Sequence, residues 1–199
     1  VIVWVNGAFG AGKTTLAAAL AGQLADAVVA DPEAIGSAVG TALRGHPWAA
    51  QDYQDCPPWA ATTVSFISGL HAYTGGPVIV PMTVLVQDLA TTMVMALSEA
   101  ADVYHLVVHA ERDVLKQRIA ADRALGEDPA RAAEVRAYRL RRLDDYQSAA
   151  DQWLLHTAGH VIDTTALTRR QALTAALAHL HEVAPTVPVS AVVYGRQPQ

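Results

Sequence analysis

Gly7-Ala8-Phe9-Gly10-Ala11-Gly12-Lys13-Thr14 matches the pattern G-x-x-x-x-G-K-[ST] without a gap. Its flanks fit the same reading. Val1-Ile2-Val3-Trp4-Val5 is a short apolar, β-branched run that reads as a buried strand, and Thr15 to Leu24 reads as a helix. Strand, glycine-rich loop and helix, in that order, form the setting in which this pattern binds phosphate. The alternative is a glycine-rich turn that binds nothing. Against it, Lys13 and Lys116 are the only lysines among fourteen Lys plus Arg, and one of them stands where the pattern asks for lysine.

The chemistry follows from the residue types. Gly7, Gly10 and Gly12 permit backbone conformations that side chains block. The N–H groups of Gly7, Ala8, Phe9, Gly10, Ala11 and Gly12 then converge on phosphate oxygens. Those of Lys13, Thr14 and Thr15 open the helix and add its positive dipole end. Lys13 is expected to reach the β- and γ-phosphates as a point charge. The Thr14 hydroxyl is the candidate metal ligand for Mg²⁺, which takes its other ligands mostly from phosphate and water.

Outward from the loop, strand and helix patterns alternate. Ala27-Val28-Val29-Ala30 is a second apolar run, and Asp31-Pro32 starts a helix with Asp31 as N-cap. Residues 46–58 read as a loop, and Trp59 to Tyr73 as a helix stopped by Gly75-Gly76-Pro77. Val78 to Met82, Val103 to Val108 and His160-Val161-Ile162 read as three further strands. Helices are expected over 86–100, 111–125, 129–150 and 168–182, with a tail over 185–199. This alternation implies an α/β fold with a five-stranded parallel sheet covered on both faces, in one domain spanning 1–184. Ligands of such sheets bind beyond the carboxyl ends of the strands.

That rule selects the remaining candidates. Asp31 closes the second strand and Glu33 follows it; a carboxylate there serves as general base for an incoming hydroxyl or holds a Mg²⁺-bound water. Asp31 is equally suited to capping the helix. Asp52, Gln54 and Asp55, with Tyr53 and Trp59, suit hydrogen bonding and stacking to a polar, ring-containing ligand, and also suit an ordinary polar loop. Thr83 follows the third strand and would line the same cavity. The segment 112–142 carries nine of the fourteen Lys plus Arg. Two helices broken near Gly126-Glu127-Asp128-Pro129 would make a lid, with Arg118 and Arg123 as the arginines that stabilise a transferring phosphoryl group. A solvated helix face is the plainer reading of most of these charges. Asp163-Thr164-Thr165 either edges a nucleotide base or caps the last helix. The eight histidines show no metal-ligand spacing.

Composition narrows the classes. Hydrophobic residues at 52% and charged residues at 17% give a foldable core. A net charge of −5 argues against nucleic acid as the main partner. Cys56 is the one cysteine, so no disulfide closes within the chain, consistent with the cytoplasm. No apolar run approaches the ~18 residues of a spanning helix, and the first apolar run reads as a strand rather than a signal peptide. Peripheral membrane contact stays open, as does oligomeric state.

The pieces Val3 to Thr14, Asp31-Pro32-Glu33, Gln54 to Trp59, Ile79-Val80-Pro81-Met82-Thr83 and Ile162-Asp163-Thr164 together resemble the tunicamycin resistance protein family, a branch of the P-loop kinase-like proteins. The resemblance covers most of the chain except the tail after Pro185. It implies a three-layer P-loop fold like that of nucleoside monophosphate and small-molecule kinases, with ATP and Mg²⁺. It also implies a link to resistance against tunicamycin, a nucleoside antibiotic. Two functions follow as expectations: phosphotransfer from ATP to a small nucleoside-like or sugar-bearing acceptor, or ATP-dependent sequestration of tunicamycin without its phosphorylation.

Overall fold

The computed structural model describes residues 1–50, 52–122 and 128–186. Five strands, β1 (Ile2–Gly7), β2 (Val28–Val29), β3 (Val78–Pro81), β4 (Val103–His109) and β5 (His160–Asp163), form one parallel sheet in the order β2-β3-β1-β4-β5. β1 is central: Val3 pairs with Ile79 on one side and with Tyr104 on the other. Every residue of β1 and β3 is buried, as expected of strands covered on both faces.

The cover consists of α1 (Lys13–Ala21), α2 (Pro32–Ala42), α3 (Pro57–Thr74), α4 (Gln87–Ser98), α5 (Arg112–Ala121), α6 (Pro129–Ala149), the single turn α7 (Leu155–Thr157) and α8 (Arg169–Val183). α1 packs with α8, α3 with α2 and α4, and α5 with α6. The three-layer α/β P-loop architecture expected from the alternation is present. Trp4, Leu20, Ile67, Met93, Leu106 and Ile119 are among its fully buried side chains.

The departures from expectation are local. β2 shrinks to two residues because it is an edge strand with one neighbour, and Val29 stays exposed. α3 starts at Pro57 rather than Trp59, since proline is tolerated in a first helical turn. α6 begins at Pro129, where the Asp128 carboxylate accepts from the N–H groups of Ala130 (2.9 Å) and Arg131 (3.3 Å). It does not stop at residue 150; the chain continues as a π-helical turn, Ala150–Leu154, into α7. α5 ends at Ala121. The lid break at Gly126-Glu127 and most of the expected tail (187–199) lie outside the described residues.

Since all strands are parallel, their carboxyl ends share one edge of the sheet. Gly7, Thr83, His109 and Asp163 lie at or just past those ends, and the loops beyond them carry the candidate site.

Candidate active site

The phosphate loop has the backbone its pattern requires. Gly7, Gly10 and Gly12 take φ of 141°, 80° and 104°. At Gly7 the constraint is also steric, because a Cβ there would collide with the Val108 carbonyl. At Gly12 space is open, and the left-handed conformation alone favours glycine. The first helical bond runs from Leu16 N–H to the Gly12 carbonyl (2.9 Å). The N–H groups of Lys13, Thr14 and Thr15 precede that ladder and remain available to an anion.

Three side chains hold the loop from behind. Asn6 is buried; its Oδ1 accepts from Gly7 N–H (2.8 Å) and Val84 N–H (3.0 Å), while its Nδ2 donates to the Val84 carbonyl (3.0 Å), so the Gly7 N–H expected to face phosphate is instead held by Asn6. Thr83 donates its hydroxyl to the Gly7 carbonyl (3.0 Å). The Thr164 hydroxyl lies 3.1 Å from the Ala11 carbonyl and accepts from Arg118 Nη1 (3.0 Å), and Arg118 Nη2 donates to the Thr164 carbonyl (2.7 Å). Thr83 and Arg118 are thus placed as braces of the loop. Arg123 lies outside the described residues.

Lys13 is buried, and its Nζ donates to the Ala8 carbonyl (2.8 Å). Burial pushes its pKa down to about 8, opposed by the negative charge of Glu33 and assisted by the positive charge of Arg139. A charged lysine held in such a desolvated position gains from an incoming phosphate, whose negative charge favours the ammonium form. Two cations approach the Phe9 ring: Lys13 Nζ is 5.3 Å and the Arg139 guanidinium carbon 5.6 Å from its centroid. Arg139 is anchored by Asp122 at 2.6 Å. Its proximity to the loop was not read from the sequence, where Arg139 counted only among the charges of the segment 112–142.

On the facing side, Asp31 caps α2, its Oδ1 accepting from Glu33 N–H (2.9 Å), with the Asp31 side chain in the exposed class. Glu33 is exposed and its charge acts on Lys13, Tyr53 and Tyr138. Its charge is thus felt both at the phosphate loop and at the tyrosines beside the polar loop at 52–55. In that loop Asp52 accepts from Gln54 N–H (2.9 Å) and Tyr138 hydroxyl (3.1 Å) and pairs with Arg142 (3.3 Å). Burial, then the Asp52 carboxylate, push the Tyr138 phenol up to about 12, so it donates as the neutral form. Gln54 Oε1 accepts from Leu85 N–H (2.9 Å), and Asp55 is exposed. Trp59 is fully buried; it donates Nε1 to the Pro32 carbonyl (3.0 Å) and packs on Tyr53 at 4.6 Å between ring centroids. It supports the Asp31–Glu33 turn from inside rather than presenting a face to solvent. Tyr138, Arg139 and Arg142 join the site in addition to the residues read from the sequence.

Among the described residues, no group of three or more His, Cys, Asp or Glu is placed to hold a metal by itself. Mg²⁺ would take phosphate oxygens and waters together with the Thr14 hydroxyl, which lies at the exposed start of α1. Also among these residues, no helix is long and apolar enough to cross a membrane.

Known proteins share this fold. The tunicamycin resistance protein of Deinococcus radiodurans superposes with a TM-score of 0.66 at 23% identity, over 96% of this chain and 98% of that one. A sugar kinase from Janibacter sp. HTCC2649 gives 0.61 at 22% identity, over 93% and 96%. A gluconokinase from Sinorhizobium meliloti 1021 gives 0.56 at 17%, over 92% and 93%. At these identities the likeness is one of fold, and it is the fold expected from the family resemblance. No curated protein sequence matches the chain significantly. The AAA domain family model matches residues 2–143, which hold the phosphate loop, the polar loop and the arginines of α5 and α6. The chain belongs to the AAA domain family, with a kinase-like P-loop fold.

Proposed function

We propose that the protein transfers the γ-phosphoryl group of ATP to a hydroxyl of a small nucleoside-like or sugar-bearing acceptor. The observation that carries this reading is the presence of two unlike surfaces at the carboxyl edge of one sheet. On one side is a phosphate cradle with a buried lysine, and on the other the Asp31–Glu33 turn, whose Glu33 charge acts on that lysine, and the polar loop that Trp59 and Tyr53 join to the turn. A nucleotide switch needs the first surface and has no use for the second.

In this reading the loop and the start of α1 hold the triphosphate, the Lys13 ammonium pairs with it, and Arg139, beside the Phe9 ring, adds positive charge. Mg²⁺, held with the Thr14 hydroxyl, supplies charge neutralisation between the phosphates. Asp31 has one oxygen in the cap and the other directed to an acceptor hydroxyl, which it orients and deprotonates. Glu33 keeps the lysine side of the gap electrostatically balanced. Asp52, Gln54 and Asp55 shape the acceptor side, and Thr83, Arg118 and Trp59 position the parts. A cytoplasmic setting with ready ATP accompanies this function.

The structural likeness to the Deinococcus protein makes tunicamycin the first acceptor to try. Mass spectrometry of tunicamycin, nucleosides and sugars incubated with protein and Mg²⁺·ATP is the test. A product heavier by one phosphate and absent with Lys13→Ala is expected. ATP-dependent binding of tunicamycin with no modified product would replace transfer by sequestration.

A further inference from the structure

Beside the candidate site lies a cavity of about 320 Å³ that the assignments above leave unused. Its walls come from the start of α4 (Val86, Gln87), the last turns of α6 (Asp145, Ser148) and the π-helical turn (Gln152, Trp153). Its volume falls at the small end of the range for ligand pockets, about 300–1,000 Å³. Two features connect it to the acceptor side. Arg142 lines it and also pairs with Asp52, and Leu85, which lines it too, gives its N–H to Gln54. The π turn is itself informative. Such turns cost regular hydrogen bonding and occur often at functional sites; here the turn contributes Gln152 and Trp153 to the cavity.

The lining defines the ligand class. Gln87, Ser148 and Gln152 offer two amides and a hydroxyl, exposed and with no hydrogen-bond partner among the described residues. Trp153, mostly buried, adds an apolar wall with Leu85 and Ala149. The one cation, Arg142, already pairs with two carboxylates, Asp52 at 3.3 Å and Asp145 at 2.7 Å. No net positive charge is left to draw an anion. Neutral donors and acceptors around an apolar wall match a ring that carries hydroxyls on its edge and C–H groups on its face.

We infer that this cavity binds a neutral hydroxylated ring, the sugar portion of the acceptor, beside the hydroxyl that receives phosphate. The inference rests on the kinase reading for the word acceptor, but the binding does not. Saturation-transfer NMR with methyl β-glucopyranoside, uridine and the charged methyl β-glucuronopyranoside, each added to the full chain, tests it. A neutral probe should give saturation transfer. Gln152→Ala should weaken its binding about three- to tenfold, as loss of one hydrogen bond does. Ser148→Phe, which fills the cavity from an exposed helix position, should abolish it. The ATP-dependent rise in melting temperature, read on the same samples, should be unchanged in both variants. Absence of transfer from both neutral probes, transfer that persists in both variants, or a glucuronoside that binds as well as the glucoside would overturn the inference. Failure of the kinase reading would instead show as sugar binding without any phosphorylated product. Transfer to the glucoside alone assigns a pyranosyl ring and transfer to the ribose protons of uridine alone a ribosyl ring, whereas transfer confined to the uracil protons would overturn the inference.

Discussion

Lys13 carries the most directly testable chemistry at the scale of one residue. Its folded-state pKa is depressed to about 8, below the ordinary value of 10.5, chiefly by burial. Below about pH 8 the folded chain bears the cost of a buried charge. Between pH 8 and 10.5 the unfolded chain holds more protons than the folded one, so stability rises with pH there. Urea denaturation of the nucleotide-free protein at pH 7, 8.5 and 9.5 should show this rise, and Lys13→Met should remove it while also abolishing the ATP-dependent shift in melting temperature. A rise of equal slope in the variant would assign it to another group. Asp31→Asn keeps the helix cap, since Asn caps as well as Asp. It should leave ATP binding intact and lower kcat by about 10²–10⁴, the usual worth of a general base. Unchanged kcat would remove Asp31 from the chemistry. The glycines and Lys13 were legible because their pattern is contiguous and each position has one physical job. Trp59 was not: a tryptophan beside polar residues suits a stacking surface, and only packing shows it buried with its N–H on Pro32.

At the scale of elements, α6 is tied to the polar loop at 52–55 through one carboxylate. Asp52 accepts from Tyr138 and pairs with Arg142, and its side chain is only 13% exposed. Asp52→Ala leaves both partners without it and should destabilise the fold by about 1–3 kcal/mol. Tyr138→Phe alone should cost about 0.5–1.5 kcal/mol. In a double-mutant cycle read by urea denaturation, the second change should add almost nothing once Asp52 is gone. Full additivity would show that the hydrogen bond contributes no coupling. Element types were legible from periodicity and from end signals, such as Asp31-Pro32 before α2; the cap of α8 was not, since Thr168 with Gln171 forms it rather than the Asp163-Thr164-Thr165 cluster. The π turn at Ala150–Leu154 was not, because its sequence keeps a helical pattern and the change of register comes from packing of Trp153 and Leu154 into the core. The face of α6 that meets Phe9 was equally hidden, since arginines spaced through a helix read first as solvated charge.

For the whole molecule, the alternation of strand and helix was enough to fix a parallel α/β layout. The sheet order β2-β3-β1-β4-β5 depends on contacts between residues such as Val28 and Val78 that no local pattern reports. The order brings Gly7, Asp31, Thr83 and Asp163 to one edge, and so makes one site from pieces spread along the chain. A closed two-substrate site should pass phosphate to an acceptor and waste little on water. The most direct measurement is ³¹P NMR of Mg²⁺·ATP turnover, with tunicamycin or another acceptor present and absent. Phosphotransfer predicts an organic phosphoester resonance that grows with ADP, requires the acceptor and vanishes in Lys13→Ala. Inorganic phosphate as the sole product, released at the same rate whether acceptors are present or absent, would contradict it.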